Sequence, residues 1–134
     1  SDVNNWPDSK TNIIYNAVCP LEIDDFVGEA AIDDPYFYEG DYVAQITREG
    51  DDMLRFTGLN ENPASSFLIK IDSKAFTATV ARQVVEPSIW GYTNLTVEGS
   101  GTVDACNKVI TFRFTWRVDQ GSFGGSDSDF TVKL

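Results

Sequence analysis

The sequence predicts an all-β domain, an antiparallel up-and-down meander of about eight strands, on three observations. From Ile13 onward no stretch repeats apolar residues at i, i+3, i+4 and i+7, as a helix buried on one face requires. Alternation of apolar with polar residues, rich in β-branched and aromatic side chains, recurs throughout instead. Asp, Gly, Ser and Asn clusters separate the alternating runs at hairpin spacing.

Residues 1–12 are polar, carry Pro7 and follow neither period, so they read as a leader or linker before a single domain over 13–134. Phe26 to Ile32 is the first expected strand. Tyr42 to Arg48 and Met53 to Leu59 flank Glu49-Gly50-Asp51-Asp52 as a hairpin. Phe67, Ile69 and Ile71 alternate up to Asp72-Ser73-Lys74, and Phe76, Ala78 and Val80 alternate after it, which makes a second hairpin. A third joins Tyr92–Val103 to 109–118 through Asp104-Ala105-Cys106-Asn107. In that last strand Ile110, Phe112, Phe114, Trp116 and Val118 share one face, while Thr111, Arg113, Thr115 and Arg117 share the other. Phe130, Val132 and Leu134 alternate with Thr131 and Lys133 as the final strand.

A meander of this kind closes into a barrel, which removes both exposed edges, or splits into a two-sheet β-sandwich. Gly99 and Gly101, two apart inside a long strand, favour closure because missing side chains on one face let a sheet coil sharply. Alternating strand direction then puts 50–52, 72–74 and 104–107 at one end, the bottom, and 33–41, 60–65, 84–91 and 119–127 at the other. The long top loops carry Tyr36, Phe37, Tyr38, Trp90 and Phe123, with Tyr92 just inside the next strand. These six are the candidate ligand-binding residues, since sites favour loops on a rigid scaffold and the open end of a small barrel. The alternative is that they plug or cover the rim.

Cys19 precedes the first strand and Cys106 lies in a bottom turn, so this topology brings them to the same end. They lack CxxC spacing, and a structural disulfide in an oxidising compartment competes with two separate buried thiols.

The 134 residues hold 10 Lys and Arg against 21 Asp and Glu, a formal charge of −11 that repels nucleic acid and anionic membrane surfaces alike. With no histidine, Ser-His-Asp and Cys-His catalysis and His-ligated zinc or haem are excluded. The carboxylate clusters Asp24-Asp25, Asp33-Asp34 and Glu49 with Asp51-Asp52 border turns, where Asp accepts backbone hydrogen bonds, so no catalytic pair is assigned. Asp127 and Asp129 lie in a Gly- and Ser-rich loop, but the EF-hand register is missing and no metal or cofactor is expected. Asn94-Leu95-Thr96 matches a glycosylation sequon inside an expected strand.

Several segments in order resemble small extracytoplasmic lipoprotein domains of Bacteroidetes with a lipocalin-like (calycin-like) β-barrel. Cys19-Pro20-Leu21-Glu22-Ile23-Asp24-Asp25-Phe26-Val27-Gly28 is similar to their C-P…DFVG opening, and Tyr42 to Asp51 to their second strand ending in Gly-Asp. Gly99-Ser100-Gly101-Thr102-Val103-Asp104, Ile110-Thr111-Phe112 and Gly121-Ser122-Phe123-Gly124 continue the likeness loosely over 19–134. True lipocalins open with Gly-x-Trp, whereas Glu29 and Ala30 follow Gly28 here. The resemblance implies a lipidated cysteine upstream of Ser1, a place in the periplasm or on the cell surface as an outer-membrane-anchored lipoprotein, and no catalytic residues. The expected function is a non-catalytic cell-envelope binding domain taking an apolar, lipid-like or a glycan-like ligand at the aromatic end. The rival is a structural or protein-interaction module of a surface lipoprotein complex, using outward-facing Thr111, Arg113, Thr115, Arg117, Thr131 and Lys133.

Overall fold

A computed structural model describes residues 19–35, 40–122 and 129–134 and the backbone of 123 and 124. A 3-10 turn over Ile23–Phe26 precedes β1 (Gly28–Asp33), β2 (Asp41–Arg48) and β3 (Met53–Thr57). A second 3-10 turn, Leu59–Glu61, leads to β4 (Ser66–Asp72), β5 (Thr77–Ile89), β6 (Tyr92–Asp104), β7 (Val109–Val118), β8 (Gly121–Gly124) and β9 (Asp129–Lys133). β1 to β7 pair antiparallel in sequence order, and β9 bridges β7 back to β1, so the ladder closes on itself. β8 lies against Trp116–Val118 and β9 against Val109–Arg113 on the same edge of β7. Together they make one stave, and the result is a closed eight-stranded up-and-down barrel rather than two stacked sheets.

The two-residue rhythm places side chains as the alternation predicts. On β7, Ile110, Phe112, Phe114, Trp116 and Val118 all point inward and are buried. Phe114 touches the rings of Phe67, Phe112, Trp116 and Phe130, with centroid separations of 5.7, 4.7, 5.4 and 5.0 Å. Phe56 stacks on Phe67 at 4.7 Å, so aromatic rings from four strands, β3, β4, β7 and β9, fill the middle of the lumen. Burial of this kind is the main favourable term of the fold, at about 25 cal/mol per Å² of apolar surface.

Gly99 and Gly101 of β6 pair with Phe114 and Phe112 across this cluster. A Cβ on Gly99 would stand 2.2 Å from the Arg113 carbonyl oxygen, and one on Gly101 2.0 Å from that of Thr111. The absent side chains let β6 and β7 cross closely while Phe rings cover the glycines, which produces the tight coiling a small barrel requires.

Four expected boundaries are corrected. Strand β1 begins at Gly28 rather than Phe26, because Ile23–Phe26 coils into a 3-10 turn that sends Phe26 into the core. Strand β3 ends at Thr57 rather than Leu59, where Gly58 takes a φ of +106° and turns the chain. The expected loop 84–91 is strand as far as Ile89, leaving only Trp90-Gly91 as the turn. Register shifts between Val80 and Gln83 and between Val84 and Glu86 break the alternation there, so Val84-Val85-Glu86-Pro87 has no period of two. The expected loop 119–127 contains β8, a short return stretch on the top of β7.

Where the first shift draws β5 from β4, backbone pairing is confined to Lys70–Asp72 with Thr77–Thr79, and Gln83 substitutes for it. Its Oε1 accepts from the Leu68 N–H at 2.8 Å, and its Nε2 donates to the Leu68 carbonyl at 3.2 Å.

The bottom end is tied together by covalent and polar links. Cys19 and Cys106 form a disulfide with Cα atoms 5.2 Å apart, which anchors the incoming chain to the β6–β7 turn. Arg48 reaches from β2 to Asp24 of the 3-10 turn at 2.9 Å. Two bottom turns share one construction: Asp72 accepts from the N–H groups of Lys74 and Ala75, Asp104 from that of Asn107, and each turn ends on a residue with positive φ, Phe76 or Lys108. Those hydrogen bonds hold both carboxyls below the usual carboxylate range, chiefly through the Ala75 N–H for Asp72 and the Asn107 side chain for Asp104.

The disulfide spans a sequence separation of 87 residues, for which loop-closure entropy gives on the order of 4 kcal/mol. Urea unfolding of the oxidised protein and of Cys19→Ser/Cys106→Ser measures that difference. Gly99→Ala and Gly101→Ala are each expected to cost at least about 1–3 kcal/mol by forcing backbone apart, while Gly50→Ala, whose Cβ would meet only Met53 at 3.7 Å, is tolerated. Equal midpoints for all three variants would contradict the packing argument.

Candidate functional site

With rings filling the lumen, the concavity that combines an aromatic face with buried polar atoms lies at the top rim, between the β3–β4 connection and the β5–β6 turn. Leu59 is buried and caps the barrel from above. Beyond it Asn60 and Glu61 both adopt positive φ, 54° and 67°, conformations that cost non-glycine residues on the order of 1–3 kcal/mol. Asn62 is tied in place: its carbonyl accepts from the Ser65 hydroxyl at 2.7 Å and its side-chain Oδ1 from the Ala64 N–H at 3.0 Å. The remaining Asn62 donor, Nδ2, is thereby aimed at Glu86 Oε2, 3.1 Å away.

Glu86 owes its position to the two register shifts in β5. Past them it pairs with Leu95, a lumen residue, so the carboxyl enters the upper barrel and the residue is only 4% exposed. Burial pushes its pKa above the usual carboxylate value, partly opposed by the Asn62 hydrogen bond. Glu86 Oε1 and both side-chain polar atoms of Asn60 are buried without a hydrogen-bond partner. Each such atom costs about 1–3 kcal/mol unless something fills its hydrogen-bonding capacity.

Asn60, Asn62, Glu86, Ile89 and Trp90 line this concavity of about 270 Å³. The two-residue turn Trp90-Gly91 has φ of 50° and 85°, the pattern of a type I′ hairpin that favours Asn-Gly and disfavours a bulky first residue. Trp90 nevertheless occupies it, with 63% of its surface exposed. A strained backbone that holds a large aromatic toward solvent beside buried polar atoms is suited to binding.

Of the six aromatic residues the sequence singles out, Trp90 lines the concavity. Tyr92, 41% exposed, pairs with Ile89 at the foot of the same turn and lies outside its lining. Tyr36, Phe37 and Tyr38 lie outside the described residues, as does the side chain of Phe123, whose backbone belongs to β8. Asn60, Asn62 and Glu86 escaped the sequence reading. The single signal for them is a carboxylate within the apolar run Val84-Val85-Glu86, because two asparagines in a loop are ordinary turn residues.

Behind the turn, Asp119 accepts from Thr93 Oγ1 at 2.9 Å and from Asn94 Nδ2 at 2.8 Å, and Gln120 donates to Thr93 Oγ1. This ties the end of β7 to the start of β6 and braces the turn that carries Trp90. Among the described residues no three Cys, Asp or Glu side chains converge as metal ligands, and Asp129 is paired with Arg113. Glu86 is the sole carboxylate lining the concavity among those residues, which therefore offers one carboxylate, two carboxamides and an aromatic face. Compared with protein-family models, curated proteins and solved structures, the chain has no match.

Glu86 gives a pH test with a definite sign. Its raised folded value means the folded state binds more protons than the unfolded chain above the ordinary carboxyl range, so stability falls as pH rises through that window and stays lower beyond it. Glu86→Gln keeps an acceptor for Asn62 and removes the buried charge, so its Tm is expected to exceed that of the wild type at pH 8, with the gap closing toward pH 4. A lower Tm than wild type at pH 8 would contradict this assignment.

Proposed function

We infer that this domain is a non-catalytic binding module of the cell envelope whose ligand is glycan-like and sits at the top rim, on Trp90. The observation that carries this reading is the set of three partnerless buried polar atoms beside an exposed indole in one concavity. Sugars present such chemistry: C–H faces that lie on aromatic rings and hydroxyls that donate to carboxylates and exchange bonds with carboxamides. A lipid-like ligand in the lumen finds less support, because Phe56, Phe67, Phe112, Phe114, Trp116 and Phe130 already occupy that space. The disulfide fits an oxidising compartment, in keeping with an extracytoplasmic lipoprotein.

A second reading, a protein-interaction module, draws on an apolar groove of about 300 Å³ on the outer wall, lined by Met53, Leu68, Thr79 and Ala81 with the stems of Lys70 and Gln83. Titration separates the glycan reading from the lipid one. Isothermal titration of the domain against neutral oligosaccharides and against a fatty acid is expected to give saturable binding to a sugar, weakened about tenfold by Trp90→Ala. Saturable binding of the fatty acid alone would overturn the glycan reading.

A further inference from the structure

Resting on the rim site as a glycan site, we propose that it selects sugars bearing a free amine, whose ammonium group is held between Glu86 Oε1 and the side-chain oxygen of Asn60 beneath the Trp90 indole. Three features of the site point to a cation rather than to any hydroxylated ligand.

The first is the state of the Glu86 carboxylate. Its Oε2 accepts from Asn62 Nδ2 at 3.1 Å, but Oε1 has no partner, and no cationic side chain lines the concavity among the described residues. A neutral hydroxyl would satisfy the hydrogen bond and leave a buried charge uncompensated. An ammonium does both, and a charge-assisted hydrogen bond is roughly twice as strong as a neutral one.

The second is the geometry of the floor. The partnerless atoms of Glu86 and Asn60 expose less than 1 Å² in the free domain, so reaching them requires their side chains to turn toward the ligand, and a small projecting group asks for less of this than a whole ring. An amine substituent has that size and carries up to three donors, enough for Glu86 Oε1 and Asn60 Oδ1 together. An N-acetylated amine has neither the charge nor the size. The third is Trp90, whose exposed ring face attracts a cation as well as sugar C–H groups. The chain's formal charge of −11 adds a long-range preference in the same direction and opposes uronate or sulfate sugars.

The test compares methyl glucosaminide, methyl N-acetylglucosaminide and methyl glucoside, each with at most one charge, by isothermal titration and chemical-shift mapping of the whole domain at neutral pH. The glucosaminide is expected to bind about tenfold more tightly than either neutral sugar, with shifts centred on Asn60, Asn62 and Trp90. In Glu86→Gln the three affinities are expected to converge to within about twofold, with folding checked by circular dichroism. Should that variant not fold, Asn60→Leu, which removes the second amine acceptor, is expected to narrow the same ratio. Equal affinities in the wild type would overturn amine selection and leave the glycan reading standing. A preference that survives Glu86→Gln would overturn the assignment of the ammonium to this carboxylate. Binding of none of the three sugars would overturn both.

Discussion

The close crossing of β6 and β7 at Gly99 and Gly101 is the constraint on which the rest of this barrel depends. An eight-stranded sheet closes only if it coils tightly somewhere, and here two missing Cβ atoms let the carbonyls of Arg113 and Thr111 come where side chains would otherwise stand. The space on the inner side of those glycines is taken by Phe112 and Phe114, which seed the ring cluster reaching Phe67, Phe130 and Trp116. A barrel closed in this way has its middle filled with its own side chains. Open concavities are thereby left to the ends and the outer wall.

The two ends are built on opposite principles. At the bottom, satisfied hydrogen bonds, the Arg48–Asp24 pair, the buried Phe26 and the Cys19–Cys106 bond leave the chain fixed. Positive φ occurs at both poles, at Phe76 and Lys108 below and at Asn60, Glu61 and Trp90 above, but the top adds the partnerless atoms of Asn60 and Glu86, each of which opposes folding by about 1 kcal/mol or more. Proteins tolerate such local conflict where a site requires it and where the remainder of the fold is consistent enough to offset it. The asymmetry separates a fully tied pole from one that keeps unmet hydrogen-bonding capacity.

How much of this was legible in the sequence follows from where the two-residue rhythm holds. Strand β7 alternates without interruption from Ile110 to Val118, because both its neighbours keep register over most of its length, and the fold class and the bottom turns follow from runs of that kind. The common pole of Cys19 and Cys106 was equally readable, since it needs only the parity of strand direction. Strand β5 was not legible beyond Val80: two register shifts scramble its inward and outward positions, and Pro87 imitates a loop. Those same shifts aim Glu86 into the barrel, so the feature that hid the strand also hid the site. Trp90 was found by its residue type, but Asn60 and Asn62 come from the β3–β4 connection, Asn62 standing 24 residues before its partner Glu86, and only the folded sheet joins them.

The central claim is that packing fills the lumen and leaves the top rim to bind. A crystal structure of the domain soaked with an amino sugar tests it most directly. The account predicts ring-shaped density on the Trp90 indole, with a polar atom within hydrogen-bond distance of Glu86 Oε1, and no added density among Phe56, Phe67 and Phe114. Elongated density threading the lumen between those rings, with the rim unchanged, would contradict it.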